Sequence, residues 1–372
     1  MTTRFRPAEM VLPGHPDKLA DAIADSIVEQ AARREQRALC GVEVAVHRSH
    51  VFVTGRVAAR DAETIDISTI AREVFASAGY GSRWSPDPDE LIVTTNLCLE
   101  ELNPGEADFR AFSDDQSIVT GYAIDLPGAN YLPPEHWLVH QMGRRLHTLR
   151  FERPELGLGP DGKLMIVLAE SEDSLAIHTF SASLQQHCDG STVELVRSVR
   201  ETVEDVLIQQ APRIPKLKAH IPEEFLVNAA GNFSIGGTEG DNGLSGKKLV
   251  VDAYGPRIPI GGGALSGKDF YKADRAGAII ARRLAKAVVM TGPVRECFVA
   301  ASMSPGDTSV HIHCLEDEKG NSRDVGRWSH LLDLSLDGCG NAYACTPGLT
   351  EIARWGHFSN DVLPWEKISF ST

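Results

Sequence analysis

Residues 261–269, GGGALSGKD, decide the first question about the fold. From Gly262 to Lys268 the spacing is that of a phosphate-binding P-loop, G-x-x-x-x-G-K, whose next residue should offer a hydroxyl to magnesium. That residue is Asp269. The motif fails at its last position and the P-loop architecture is excluded, yet a Gly-rich turn that presents backbone N–H groups to an anion belongs to no single fold. The stretch that follows, FYKADRAGAIIARRLAKAVVM, reads as a helix with Ala276, Ile280, Leu284 and Val288 on one face. Lys268 precedes that helix and Lys272 enters its first turn. Two cations at a helix N-terminus oppose its dipole, and an anion would relieve the conflict.

Outward from this stretch, GHPDKLADAIADSIVEQAARRE also reads as a helix, with Pro16 at the first helical position and Leu19, Ile23 and Ile27 on one face. Asp17, Asp21 and Asp25 share another face. The dipole accounts for Asp17, a solvated surface is the plain expectation for Asp21 and Asp25, and His15 reads equally as a helix cap or a catalyst. GVEVAVHRSHVFVTGRV alternates as a hairpin; LIVTTNLCL, KLMIVLAES and SLAIHTFSASL are strand-like, and STVELVRSVRETVEDVLIQQ is an amphipathic helix. Strands and helices interleave without a regular βαβ rhythm, which predicts an α+β fold with antiparallel or mixed sheets. In VHIHC, alternation puts His311 and His313 on one strand face with no further ligand, so a metal box is not expected there.

A chain of 372 residues suits two or three domains. No apolar run approaches a membrane span, and the opening MTTRFRPAEMVLPGHPDK lacks the apolar block of a secretory signal, so a cytoplasmic protein is expected. The seven cysteines form no C-x-x-C pair and read as reduced thiols. A net charge of −14 disfavours nucleic acid. Within 241–286, however, nine basic residues stand against four acidic ones, which points to a small polyanion as ligand.

Five blocks, GHPDK (14–18), DDQSIVTGYA (114–123), GDNGLSGKKLVVDAYG (240–255), GGGALSGKDFYKADRAGAIIARRLAK (261–286) and GHFSNDVLPWEK (356–367), stand in an order that resembles the S-adenosylmethionine synthetase family over about residues 9–367. The resemblance implies a fold of three similar α/β-sandwich domains, here 1–100, 101–233 and 234–372. It implies attack of the methionine sulfur on C5′ of ATP, with the triphosphate hydrolysed to phosphate and diphosphate before release. A thioether sulfur carries no proton and is already nucleophilic, so this reaction needs alignment and charge neutralisation more than acid or base. By the same resemblance His15, Lys163, Lys248 and Lys268 lie beside the triphosphate, with Lys272 on the acceptor side. Asp161 holds the ribose, Phe233 stacks on adenine, Asp115 lines the adenosine pocket, and Lys247 stands where the family has Arg. Asp241 lies near the amino acid substrate. Asp17 and Asp274 match ligands of Mg2+, and Glu43 a carboxylate of the K+ site. The family's site lies between subunits, which implies a homodimer or homotetramer with small-molecule substrates only.

The acceptor half departs from that pattern. A cation, Arg56, falls where the family has a Glu that grips the substrate ammonium, and Leu99 falls near a Gln that contacts methionine. Three readings follow: a synthetase that still uses methionine, with Arg56 turned outward or serving the carboxylate; a synthase of another sulfonium, with Arg56 as a fork for a second carboxylate; or a non-catalytic ATP-binding paralogue. Retained metal carboxylates and phosphate cations argue against the third.

Overall fold

The computed structural model describes residues 3–81, 83–292 and 294–369. In chain order the strands are β1 (Arg4–Val11), β2 (Leu39–His47), β3 (His50–Ala58), β4 (Ile92–Glu100), β5 (Ser117–Ile124), β6 (Leu158–Glu170), β7 (Leu175–Gln186), β8 (Glu224–Val227), β9 (Gly243–Leu244), β10 (Glu296–Met303) and β11 (His311–Asp317). The helices are α1 (Pro16–Arg34), α2 (Ile67–Ala78), α3 (Glu106–Phe109), α4 (Pro134–Glu152), α5 (Thr192–Gln210), α6 (Leu249–Asp252), α7 (Ala273–Thr291), α8 (Val325–Trp328), α9 (Leu336–Tyr343) and α10 (Leu349–Trp355). Three sheets result, in the orders β1-β6-β7-β8, β4-β3-β2-β9 and β11-β10-β5. Each carries a 19-residue helix against one face: α4, α1 and α7 respectively. The expected α+β fold of three similar sandwiches is present, and two of the sheets are mixed, because β3 runs parallel to β4 and β7 parallel to β8. The sheets exchange strands along the chain: β1 pairs with β6 and β5 with β10.

The local elements follow from the sequence pattern. The expected hairpin is β2 against β3, in register from Leu39↔Ala58 to His47↔His50. Alternation buries Val42, Val44, Val46, Val51, Val53 and Val57 on the side of α1, each worth about 1.5–3 kcal/mol of transfer free energy. In α7 the face Ala276, Ile280, Leu284 and Val288 is buried as predicted, and α5 is capped by Ser191, whose hydroxyl accepts from the Glu194 amide at 3.3 Å.

Two sequence expectations are corrected. Asp21 and Asp25 are not solvated; both are 0% exposed, because α1 is enclosed on nearly every side by its sheet, α2 and α10. Asp21 accepts from the Gly246 amide at 2.7 Å and faces Lys18 at 3.3 Å; Lys18 also pairs with Asp252 and donates to the Ala353 carbonyl. Burial outweighs these partners and pushes Asp21 up to about 7. Asp25 accepts two parallel bonds from Arg275, at 2.7 and 3.0 Å. The basic excess of 241–286, second, is largely internal: Arg257 faces Glu135, Arg275 faces Asp25, and Arg282 and Lys286 share Glu366, while Arg283 donates to the Trp365 and Lys367 carbonyls. Lys247, Lys248, Lys268 and Lys272 are the four that remain for a ligand.

Removing one partner of a buried pair strands the other charge in a low dielectric. Asp25→Ala is therefore expected to lower the unfolding free energy by about 3–5 kcal/mol in urea denaturation; a loss below about 1 kcal/mol would mean that Arg275 finds compensation elsewhere.

Candidate active site

The N-terminus of α1 and the start of β6 build one cleft. His15 is the N-cap of α1: its Nδ1 accepts from the Asp17 amide at 3.2 Å, which leaves the proton of the neutral ring on Nε2. Burial lowers its pKa to about 4, against the opposing pull of Asp17, so the ring is an uncharged donor at neutral pH. Asp17 is 1% exposed; its Oδ1 accepts from the Leu244 amide at 3.0 Å, Lys248 Nζ lies 2.9 Å from Oδ2, and Lys247 Nζ lies 3.6 Å from Oδ1. Burial alone would raise this carboxyl, but Lys248 and the Leu244 amide hold it below its ordinary range.

Across the cleft, the buried Asp161 of β6 accepts from the Gly237 amide at 2.7 Å. Its burial outweighs that bond and pushes its pKa up to about 6. Lys163 stands half-exposed beyond it, 2.7 Å from Glu9. His15, Asp161, Lys163, Phe233 and Asp241 together line a cavity of about 200 Å³. Gln185, which the sequence reading missed, joins its two walls: its Oε1 accepts from the Asp161 amide at 3.2 Å and its Nε2 donates to the Ser234 carbonyl at 3.4 Å. A buried Gln in a strand is the only sequence signal it carries.

A second group gathers around the opening stretch. Lys268 pairs with Asp274, which also accepts from the Ser117 hydroxyl. Lys272 is the N-cap residue of α7 and pairs with Asp114. Two carboxylates thus answer the conflict between these lysines and the helix dipole. Asp114 is held below its ordinary range: burial raises it, and Lys272 more than offsets that. Gly263 lies so close to Asp274 that a Cβ would sit 2.0 Å from its carboxyl carbon. Asp269, the residue that breaks the P-loop pattern, is structural: it accepts from the Cys40 and Tyr271 amides, at 2.7 and 2.8 Å, and pairs with Arg110. Asp115 is exposed and accepts from the Gln116 amide at 2.7 Å.

The backbone of Lys268 bridges to Gly41 of β2, and Gly41 lies opposite Arg56 of β3. This open sheet face carries Arg56 together with Glu43, which is exposed opposite Thr54. Arg56 does not wait for a ligand. Its Nε donates to Glu100 at 2.6 Å, and its two terminal nitrogens reach Glu106 of α3 at 2.5 and 3.0 Å. Leu99 is corrected as an acceptor contact: it pairs with Val57 on the other face of the strand and packs against the core, whereas Cys98 shares the face of Arg56. Strand parity decides this, since a one-residue offset reverses the face.

The expected residues therefore form two groups. His15, Asp17, Asp161, Lys163, Phe233, Asp241, Lys247 and Lys248 make one; Glu43, Arg56, Asp115, Lys268, Lys272 and Asp274 make the other. The loops that carry them are tied to α1 at Asp17 and Asp25, which are about 12 Å apart at 1.5 Å per residue. Among the described residues no three His, Cys, Asp or Glu side chains converge into a metal cage; His311 faces Asp307 at 3.2 Å, and His313 meets the Ser302 hydroxyl at 2.6 Å. No described helix is long and apolar enough to cross a membrane.

Comparison with known proteins identifies the family. Sequence profiles of the S-adenosylmethionine synthetase N-terminal, central and C-terminal domains match residues 3–98, 111–233 and 235–367. The chain is similar to the S-adenosylmethionine synthase of Petrotoga mobilis, 32% identical over 97% of this chain and 95% of that protein. It is similar also to those of Acholeplasma laidlawii, 31% identical over 97% and 96%, and of Deinococcus deserti, 30% identical over 98% and 96%. With all three domains matched in order, the protein belongs to the S-adenosylmethionine synthetase family and is an ATP-dependent transferase of that kind.

Proposed function

We propose that the protein transfers the adenosyl group of ATP to the sulfur of methionine and releases the triphosphate as phosphate and diphosphate. The observation that carries this reading is the disposition of the four lysines that keep access to solvent: Lys247 and Lys248 on Asp17, Lys268 on Asp274, Lys272 on Asp114. Flexible cations paired with carboxylates suit a leaving polyphosphate, because stabilising developing negative charge is the main demand of this reaction. Asp161 would accept from the ribose hydroxyls, Phe233 would stack on adenine, Asp115 would line the adenosine pocket, and Lys163 would meet a phosphate. His15, an uncharged donor, would bond a phosphate oxygen through Nε2 without adding charge. Asp241 and Lys272 would orient the amino acid.

The donor set fits magnesium. Asp17 and Asp274 offer one hard carboxylate each, and this ion typically binds one or two carboxylates together with substrate phosphates rather than a protein cage. Such an ion would neutralise charge on the triphosphate. Glu43 is exposed on the open face, and a potassium site there would draw further oxygens from a second copy.

A second copy also answers the split of the site. Each sheet exposes apolar side chains on the side away from its helix: Phe5 is 55%, Phe52 46%, Ile92 51% and Ile118 70% exposed. A homodimer closing these faces would bring the group around Asp17 of one subunit to the group around Lys268 of the other; pairing of dimers into a tetramer is compatible with it. The division into 1–100, 101–233 and 234–372 is proposed as the duplicated units, with strands exchanged between their sheets. A cytoplasmic location suits such a reaction. Arg56 favours methionine over a thioether with a second carboxylate, because Glu100 and Glu106 occupy its guanidinium and leave no free fork.

An end-point assay by mass spectrometry with ATP, magnesium, potassium and methionine beside other thioether acids is expected to yield S-adenosylmethionine as the main product; a different sulfonium as the main product would refute the acceptor. Lys268→Met is expected to cut turnover about 100-fold, as for loss of one preorganised charge stabiliser. Near-normal turnover would displace the phosphates from this loop. An ionised Asp161 accepts from both ribose hydroxyls, and protonation, with the pKa pushed up to about 6, turns one of its oxygens into a donor. KM for ATP should therefore rise about tenfold as pH falls from 7 to 5, where only about a tenth of the carboxylate remains charged. Asp161→Asn should raise KM at pH 7 and flatten that part of the profile; an unchanged profile would dissociate Asp161 from the nucleotide.

A further inference from the structure

We propose that the buried Asp25–Arg275 pair is a positioning clamp for Lys268, an inference that rests on the phosphate-side role given to Lys268 above. Asp25 and Arg275 are 0% and 1% exposed. Each makes one hydrogen bond beyond the other. Asp25 Oδ1 accepts from the Gly267 amide at 2.9 Å, and Arg275 Nη1 donates to the Lys268 carbonyl at 2.8 Å. The Gly267 carbonyl between them accepts from the Val42 amide at 2.8 Å. Three backbone groups of two adjacent loop residues are thus held, and the chain turns there through a left-handed glycine, φ +84°, whose Cβ would sit 2.1 Å from the Val42 carbonyl oxygen. Arg275 is fixed in turn over the Phe270 ring, 4.3 Å from its centroid.

The chemistry of the pair is the reason to assign it this task. A buried ion pair gives little or no stability over an apolar pair of the same volume. What an apolar pair lacks is an acceptor for Gly267 and a donor for Lys268. A glycine-rich loop has many backbone states available, and holding a catalytic cation within a fraction of an ångström is worth much of the alignment term in a displacement. Asp21 repeats the device one turn earlier in α1, with its oxygen on the Gly246 amide next to Lys247 and Lys248.

The test is a cycle built on the double variant Asp25→Leu, Arg275→Met, which removes both charges together and is expected to keep the fold, with a urea midpoint near the parent's. Turnover should fall at least about 10-fold while KM for ATP and for methionine stays within about 3-fold. Adding Lys268→Met should cost about 100-fold in the parent but less than about 10-fold in the double variant, because a misplaced lysine has little left to lose. Unchanged turnover, or a full Lys268→Met loss in both backgrounds, would overturn the clamp. If the double variant does not fold, Arg275→Lys retains the charge pair, but one ammonium cannot reproduce the fork to Asp25 and Lys268; the same cycle then decides. Deuterium uptake of residues 262–270 without substrate reads the loop directly: faster uptake is expected in either variant, and unchanged uptake overturns the proposal. Should the parent fail to convert methionine, the proposed function falls, and the exchange measurement still judges the clamp.

Discussion

Three carboxylates on one helix hold this site together. Asp17, Asp21 and Asp25 recur every four residues along α1, and each accepts a backbone amide from a different point of the glycine-rich loops: Leu244, Gly246 and Gly267. The spacing is that of a helix face, about 6 Å per step. Because the helix is rigid and the loops are not, α1 acts as the ruler against which both lysine-bearing loops are set. Burying three carboxylates on one face is costly, and the cost is offset locally by Lys248, Lys18 and Arg275. The cations in the loops and the anions in the helix thus form one electrostatic unit. Of the five basic residues in 241–286 that are unavailable to a ligand, this unit takes Arg275, while Glu135, Glu366 and the Trp365 and Lys367 carbonyls take the other four.

The same arrangement accounts for the division of the site. One end of the ruler serves the cleft of His15 and Asp161, the other the loop of Lys268 and Asp274, and neither end alone surrounds a nucleotide triphosphate. The bare sheet faces lie on the side of Arg56 and Glu43, so the surface that exposes apolar side chains is the surface that carries half of the polar groups. Association through these faces would solve two problems at once, covering Phe52 and Ile92 and completing the ring of charge around the leaving group. The reaction suits this construction because it asks for no proton shuttle: a neutral His15, lysines and carboxylates suffice.

Much of this was legible in the sequence where periodicity speaks alone. The β2–β3 hairpin and α7 are written in alternation and four-residue spacing, and both formed as read. Asp21 and Asp25 were misread because a helical wheel shows which residues share a face but not whether that face is covered; the small residues Ala20, Ala22 and Ala24 between them, all buried, were the available sign of an enclosed helix. Charge counts misled in the same way, since Arg275, Arg282 and Lys286 look identical to ligand cations until their partners, Asp25 at 250 residues and Glu366 at 84 and 80, are brought beside them. Leu99 failed on strand parity, which a short alternating run does not fix by itself.

Arg56 shows how such a site tolerates a reversed charge. Where a carboxylate was expected on β3, a guanidinium stands, and taken alone that change would repel the ammonium of an amino acid. Its neighbours alter the sign. Arg56 is bound by Glu100 from the adjacent strand and by Glu106 from α3, so the cluster of one cation and two carboxylates keeps the net negative charge that a single Glu would have given. The substitution changes shape rather than polarity: the guanidinium spans β3, β4 and α3, and ties the short helix to the sheet. Asn103 adds its amide to Glu106 at 2.9 Å, and Arg37 donates to the Ala107 carbonyl at 2.9 Å, so the segment from Asn103 to Ala107 is fastened at several points. A departure that reads in sequence as loss of a substrate contact is, in three dimensions, one cation braced by two carboxylates.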